Sequence, residues 1–342
     1  MRRTFLVALI LAACGGTAAP APSSAPAKPA ASASAPASAT PGKISSFYST
    51  VSATFTPMWI AKEAGIFQKN GLDVDVQLIQ NPQGTAALLA NQVQIGLGGA
   101  ADVLGPITSG ADLQLLATLT PTYPYIFEVA DSIKTTADLK GQKLGASQAG
   151  GSDYVAMLAM LAKLGLDPGR DVNILFVGGI PQRTAALIGG NVAGTLTSPP
   201  ETLVIEGKGY HPLVDLTTLK LPSASSTLMA HKAWIQANHG AVQKFVDSLV
   251  EAIAREKADR AYAEQIMAKY LKLEDKAALA ATYDFFALKI LPTIPEVKAE
   301  QFKDAVDAIG KQNEKVRGLD LTTVIDNSFV EDAAKRGLAG KL

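Results

Sequence analysis

The chain has a single cysteine, Cys14, among 342 residues. No disulfide can therefore form within it, even in an exported compartment where disulfides persist. Histidine is scarce too: His211, His231 and His239 show neither HxxxH nor HExxH spacing. With no usable cysteine to join them, no metal site is expected. Net charge is missing, because 31 basic residues balance 31 acidic ones, so no positive field exists to draw in nucleic acid. Long apolar runs are missing as well. The run from Phe5 to Ala12 is far too short to cross a bilayer, and no second run reaches spanning length.

What the amino terminus does contain is informative. MRRTFLVALILAACGG sets two arginines before an apolar core and then Leu-Ala-Ala-Cys, which reads as a secretory signal over residues 1–13. LAAC also resembles the bacterial lipobox, in which the cysteine becomes the lipidated first residue of the mature protein, so Cys14 is the expected lipidation site. One acyl chain holds a protein only marginally, and stable anchoring requires several. Residues 14–43 are almost wholly Ala, Pro and Ser, with Lys28 and Lys43 the only charges. Such a segment cannot build a core. It reads as a tether whose ends lie about 30 Å apart as a flexible coil.

Residues 44–342 are too many for one typical core, so two lobes are expected on size alone. A repeat says how they are built. PQGTAALL at Pro82–Leu89 returns as PQRTAALI at Pro181–Ile188, and the likeness extends from Gly71 and from Gly169 with one extra residue, Ile180. Each copy opens with alternating apolar residues (Val74, Val76, Leu78; Val172, Ile174, Phe176), passes a Pro-Gln turn and a short Ala/Leu helix, and closes with a second apolar run. That is a β-α-β pattern with parallel strands. In α/β proteins ligands sit at the carboxyl ends of such strands, where the next helix presents free N–H groups. Two such units predict two lobes facing one cleft.

Helix starts sharpen the prediction. A strand Ile44–Tyr48 is followed by a Ser/Thr loop and a helix for which Thr56 is the expected N-cap, ahead of Pro57 and with an end near Gly65. The arrangement returns as a strand, the loop Ser147–Ser152 and a helix through Leu164, where Ser152 or Asp153 is the expected cap and the glycines let the backbone approach a ligand. The lysine and spacing of a P-loop are absent. Asp102 and Glu201 follow the matching strand ends and read either as ligand groups or as helix-start residues. TPTYPYIFEVADSI reads as a strand crossing between lobes and SASSTLMAHKAWI as a strand returning, with Tyr123 and Tyr125 near the hinge. Trp59 reads as core. Gln236–Leu273 is helical and amphipathic, and the tail reads as further helix packed on the outside.

On TPMWIAKEAGIFQKNGLDVDV, AALLANQVQIGLGGAADVL, SIKTTADLKGQKLGAS, KLGLDPGRDVNILFVGG and IDNSFVEDAAKRG, the folded part resembles the ABC-transporter substrate-binding proteins of the nitrate/sulfonate/taurine type, which share their fold with thiamine-pyrimidine precursor-binding proteins. The resemblance covers essentially residues 44–342. It implies an α/β, two-lobed type II periplasmic-binding-protein fold with two crossing hinge strands: 44–124 with 235–342 as one lobe, 125–234 as the other. Relatives often carry an acidic residue where Gln94 stands, and no signature fixes one ligand class.

Carried over residue by residue, the resemblance places ligand contacts at Ser49, Thr50, Thr54 and Thr56 in the first loop and at Gln83, Gly98, Gly99 and Ala100 in the first repeat. In the second half it places them at Ser147, Gly151, Ser152, Thr197, Ser198 and Pro199, with Tyr123 at the hinge. Arg183 is the one cation near the predicted cleft, and either pairs with an anion or stands solvated in a helical first turn. The function implied is that of a non-catalytic, monomeric lipoprotein of the bacterial cell envelope. It would capture a small anionic or zwitterionic solute, such as a sulfonate, carboxylate or pyrimidine precursor, and hand it to an ABC permease without a cofactor. A ligand sensor signalling to a membrane receptor is the alternative. Pyrimidine synthases of this fold rely on a cysteine-rich motif and histidines that this chain lacks, so no enzymatic activity is expected.

Overall fold

The structure, a computed structural model, describes residues 42–340 except Gly207. The segment read as a secretory signal, Cys14 and nearly all of the segment read as a tether lie outside the described residues. Among the described residues ten strands form two five-stranded sheets. In the first, β1 (Ile44–Tyr48) lies between β2 (Val74–Leu78) and β3 (Ile95–Gly98), parallel to both. The sheet continues from β3 through β10 (Thr227–His231), which is antiparallel to both its neighbours, to β4 (Leu113–Thr118) at the edge.

The second sheet repeats this order. β6 (Lys143–Ala146) lies between β7 (Asn173–Phe176) and β8 (Gly194–Thr197), parallel to both. Then β5 (Ile126–Ala130), antiparallel to its neighbours, leads to the edge strand β9 (Tyr210–Asp215). Each lobe thus takes its fourth strand from the chain as it crosses over. The repeated phrases form the helices that link β2 to β3 and β7 to β8, as right-handed β-α-β logic requires for parallel strands.

The crossing segments run side by side. Leu119 N–H donates to Ser226 O at 2.8 Å and Ser223 N–H to Pro121 O at 2.9 Å, Thr122 bridges antiparallel to Pro222, and the hydroxyls of Thr120 and Ser225 meet at 2.8 Å. The return strand Thr227–His231 pairs wholly in the first sheet, so the second crossing falls at residues 221–226 and not, as expected from sequence, near 234.

The helices α1 (Thr56–Glu63), α2 (Ile66–Lys69), α3 (Gln83–Leu89) and α4 (Ala101–Thr108) belong to the first lobe, and α5 (Ser152–Lys163), α6 (Ile180–Ile188) and α7 (Glu201–Glu206) to the second. Trp59 is fully buried, stacked on Tyr270 at 4.6 Å between ring centroids. The helical, amphipathic stretch Gln236–Leu273 falls in three helices, Lys232–Ala237, His239–Ala258 and Arg260–Leu271, broken at Asn238 and Asp259. Asp259 accepts from Tyr262 N–H and so caps the last of the three. The helix Lys303–Ile309 touches both α4 and α5 and so packs against both lobes.

Two expected caps are replaced by other bonds. Thr56 is already helical and its hydroxyl donates to Ala53 O at 2.7 Å, because a 3-10 turn, Ala53–Phe55, runs directly into α1 and leaves it no cap position. Asp153 sits one residue inside α5, whose N-cap is Gly151. Its carboxylate reaches back to the preceding loop.

Candidate functional site

A cavity of about 420 Å³ lies between the lobes. Its walls come from the carboxyl ends of the parallel strands, as the fold class dictates. After β1 stand Ser49, Thr50, Ser52, Thr54 and Phe55; after β2, Gln80 and Asn81; after β3, Gly99 and Asp102. The second lobe answers with Ser147, Gln148, Gly151, Ser152 and Asp153 after β6, the stretch Gly178–Arg183 after β7, and Ser198 after β8. The crossings add Tyr125, Ser225 and Ser226, and Phe286 enters from the carboxyl-terminal helices. The lobes approach closely here: a Cβ on Gly99 would lie 2.7 Å from Ser152 Oγ and 2.8 Å from Asp102 Oδ2.

The charged groups are few and unequal. Arg183 is only 2% exposed, which removes the solvated alternative. Its Nη1 lies 3.0 Å from Asp153 Oδ2, and its Nε and Nη2 donate to Leu196 O at 3.3 and 3.0 Å. Asp153 is tied further, accepting from Ser147 N–H at 2.7 Å and from the Ser147 hydroxyl. Gly151 leaves room for this loop, since a Cβ there would come within 2.7 Å of Ser147 Oγ. The pair satisfies itself, as a buried ion pair must.

Asp102 differs. Asn81 Nδ2 donates to its Oδ2, and Thr85 orients that amide by donating its hydroxyl to Asn81 Oδ1 at 3.2 Å. Burial pushes the Asp102 carboxyl up to about 7, with the nearby Asp153 charge adding to the rise and the Asn81 hydrogen bond opposing it. Tyr125 is likewise held above its ordinary value, chiefly by burial and then by Asp153.

The residues singled out from sequence therefore divide. Ser49, Thr50, Thr54, Gly99, Ser147, Gly151, Ser152, Arg183 and Ser198 line the cavity. Thr56, Gly98, Ala100, Tyr123, Thr197 and Pro199 are buried behind its walls, and Gln83 faces solvent. Tyr123 is 3% exposed in the apolar core between the lobes, so the hinge aromatic that reaches the cavity is Tyr125. Gln94, at the position where relatives often carry an acid, accepts from Ser45 N–H at 2.9 Å and so holds a backbone group of β1.

Sequence reading does not single out Asn81 or Gln182, and both line the cavity. Gln182 has a signal, being the second copy of Gln83 in the repeated phrase. The difference between the copies has a steric cause: Gly84 holds the place of Arg183, and a Cβ on Gly84 would meet Phe47 Cε2 at 2.5 Å and Ile79 O at 2.6 Å. A side chain there would have to displace Phe47 or the Ile79 carbonyl, and so only the second copy of the phrase carries a cation at this position.

Comparison with known proteins agrees with this geometry. The family model described as NMT1/THI5 like matches residues 52–260. The periplasmic aliphatic sulphonate binding protein SsuA of Escherichia coli superposes with a TM-score of 0.69 at 22% identity, over 84% of this chain and 93% of that one. The desulfurization enzyme DSZB superposes with a TM-score of 0.57 at 18% identity, over 86% of this chain and 99% of that one. A curated relative, the putative binding protein YtlA of Bacillus subtilis (strain 168), is 23% identical over 209 residues, 59% of this chain, and the match spans 63% of the relative's length. The fold is that of the periplasmic binding proteins, a scaffold that also carries an enzyme.

Proposed function

Because this chain belongs to the NMT1/THI5-like family, we propose that it is a solute receptor of the cell envelope that captures a small polar molecule between its lobes and delivers it to an ABC importer. The observation that carries this reading is the cavity itself: about 420 Å³, placed at the strand ends of both lobes and walled by hydroxyls, amides and one buried ion pair. That volume lies within the usual range for small-molecule sites. Ligand touching both lobes stabilises the closed arrangement over the open one, and the importer would read that shape.

The LAAC segment supports membrane attachment through Cys14, with the Ala/Pro/Ser tether giving the receptor reach. A receptor of this kind works as a monomer. What supports a receptor over an enzyme is that Arg183 and Asp153 are committed to each other on the cavity wall.

The test is ligand identification followed by uptake. Native mass spectrometry of the full chain from its own host should retain a small molecule, and deleting the gene should abolish uptake of that molecule. Full chain should restore uptake and Cys14→Ser should restore it poorly. Unimpaired uptake in the deletion strain would refute the delivery role.

A further inference from the structure

An anion entering this cleft would be expected to seek Arg183, yet that guanidinium is nearly sealed and three of its nitrogens already have partners in Asp153 and Leu196 O. Asp153 is equally committed, to Arg183 and to the Ser147 loop. The charged side chains on the wall are therefore a self-neutralised pair and one further acid, Asp102. Its Oδ2 takes the Asn81 amide, while Oδ1 receives no hydrogen bond from the described residues. Asp102 is half-buried and lines the cavity.

We propose that the solute bound here carries a protonated or N–H-bearing nitrogen seated on the Asp102 carboxylate, so that the cleft takes cationic or zwitterionic solutes in preference to simple anions. This rests on the receptor reading above and narrows its ligand class. The physical warrant is desolvation. A carboxylate shut into the cleft by a ligand loses water, and only a donor or a positive charge compensates it. A sulfonate or carboxylate group placed beside it would add like charge at short range. Asn81, oriented by Thr85, donates to the carboxylate and so favours its ionised form. The Ser and Thr hydroxyls around it donate or accept as needed and leave the choice of charge to Asp102.

Isothermal titration of the full chain at pH 8 tests this with three kinds of probe. Ethanesulfonate and propionate are the anions, 2-aminoethanesulfonate and β-alanine the zwitterions, and 4-aminopyrimidine and benzamidine the nitrogen bases. The expected result is binding by nitrogen-bearing probes at least tenfold tighter than by their anionic counterparts, with Asp102→Asn losing tenfold or more of that affinity. Asp102→Ser serves if the amide variant fails to fold. Anions binding as tightly as the nitrogen probes would overturn the inference and leave the receptor reading intact. Nitrogen probes binding equally to wild type and variant would also overturn it. Silence from every probe would count against both readings.

Discussion

Arg183 and Asp153, thirty residues apart in sequence, meet at 3.0 Å with side chains only 3% and 7% exposed. Together they fasten α6 to α5 and to the loop that precedes it. Removing one partner strands the other, which for a buried pair costs about 3–5 kcal/mol. Arg183→Met and Asp153→Asn should each lower stability by about 3 kcal/mol. The double variant should cost less than the sum, since neither change then leaves an unpaired charge. Urea unfolding of the four proteins checks this, and strict additivity would mean that the pair is not coupled.

Gly84 gives a second prediction. Alanine there forces a methyl against Phe47 and against the Ile79 carbonyl, which is backbone and yields little. The expected loss is about 1–3 kcal/mol, read from the urea midpoint. Gly240 is the control: it lies in the helix His239–Ala258, where an added methyl would meet nothing within 4 Å. Gly240→Ala should be neutral or gain up to about 1 kcal/mol from helix propensity.

Glu128 on β5 is fully buried with both carboxyl oxygens unpartnered among the described residues. Burial, aided by the like charge of Glu206, pushes it up to about 8. An acid whose folded value is raised keeps its proton while the unfolded chain loses it, so stability falls as pH rises through this window and levels off above it. Measured against Glu128→Gln, wild type should lose stability between about pH 5 and 8 with a slope of up to about 1.4 kcal/mol per pH unit. A stability difference that does not change with pH would place the ionised carboxylate in a solvated site.

Much of this architecture was legible because the chain states it twice. Alternation in Val74–Leu78 and Val172–Phe176 and the shared Pro-Gln-x-Thr-Ala-Ala-Leu phrase identify two β-α-β units, and that identification places the strand ends that wall the cavity. What stayed hidden depends on contacts between distant segments. Phe286 reaches the cavity from a segment whose own pattern is merely helical and apolar. Thr56 loses its cap because a 3-10 turn before it alters the helix entry, which no single residue signals. Asp153 reads as a helix cap from its neighbours, and only the approach of Arg183 from α6 reveals it as half of an ion pair. The returning strand is legible in SASSTLMAHKAWI, but the lobe boundary expected near residue 234 is not, because the β10 pairing partners, β3 and β4, lie more than a hundred residues upstream.

Binding of a solute between the lobes is tested by thermal melting of the full chain with two cavity-filling variants. Ser49→Trp and Gln182→Trp place bulk on opposite walls of the cavity. With a pool of sulfonates, carboxylates, amines and aminopyrimidines, the wild-type melting temperature should rise with ligand concentration, by an amount equivalent to about 2.7 kcal/mol at a hundredfold excess over Kd. Neither variant should respond, although each should melt cooperatively on its own. Variants that shift as wild type does, or a wild type that never shifts, would contradict a binding site between the lobes.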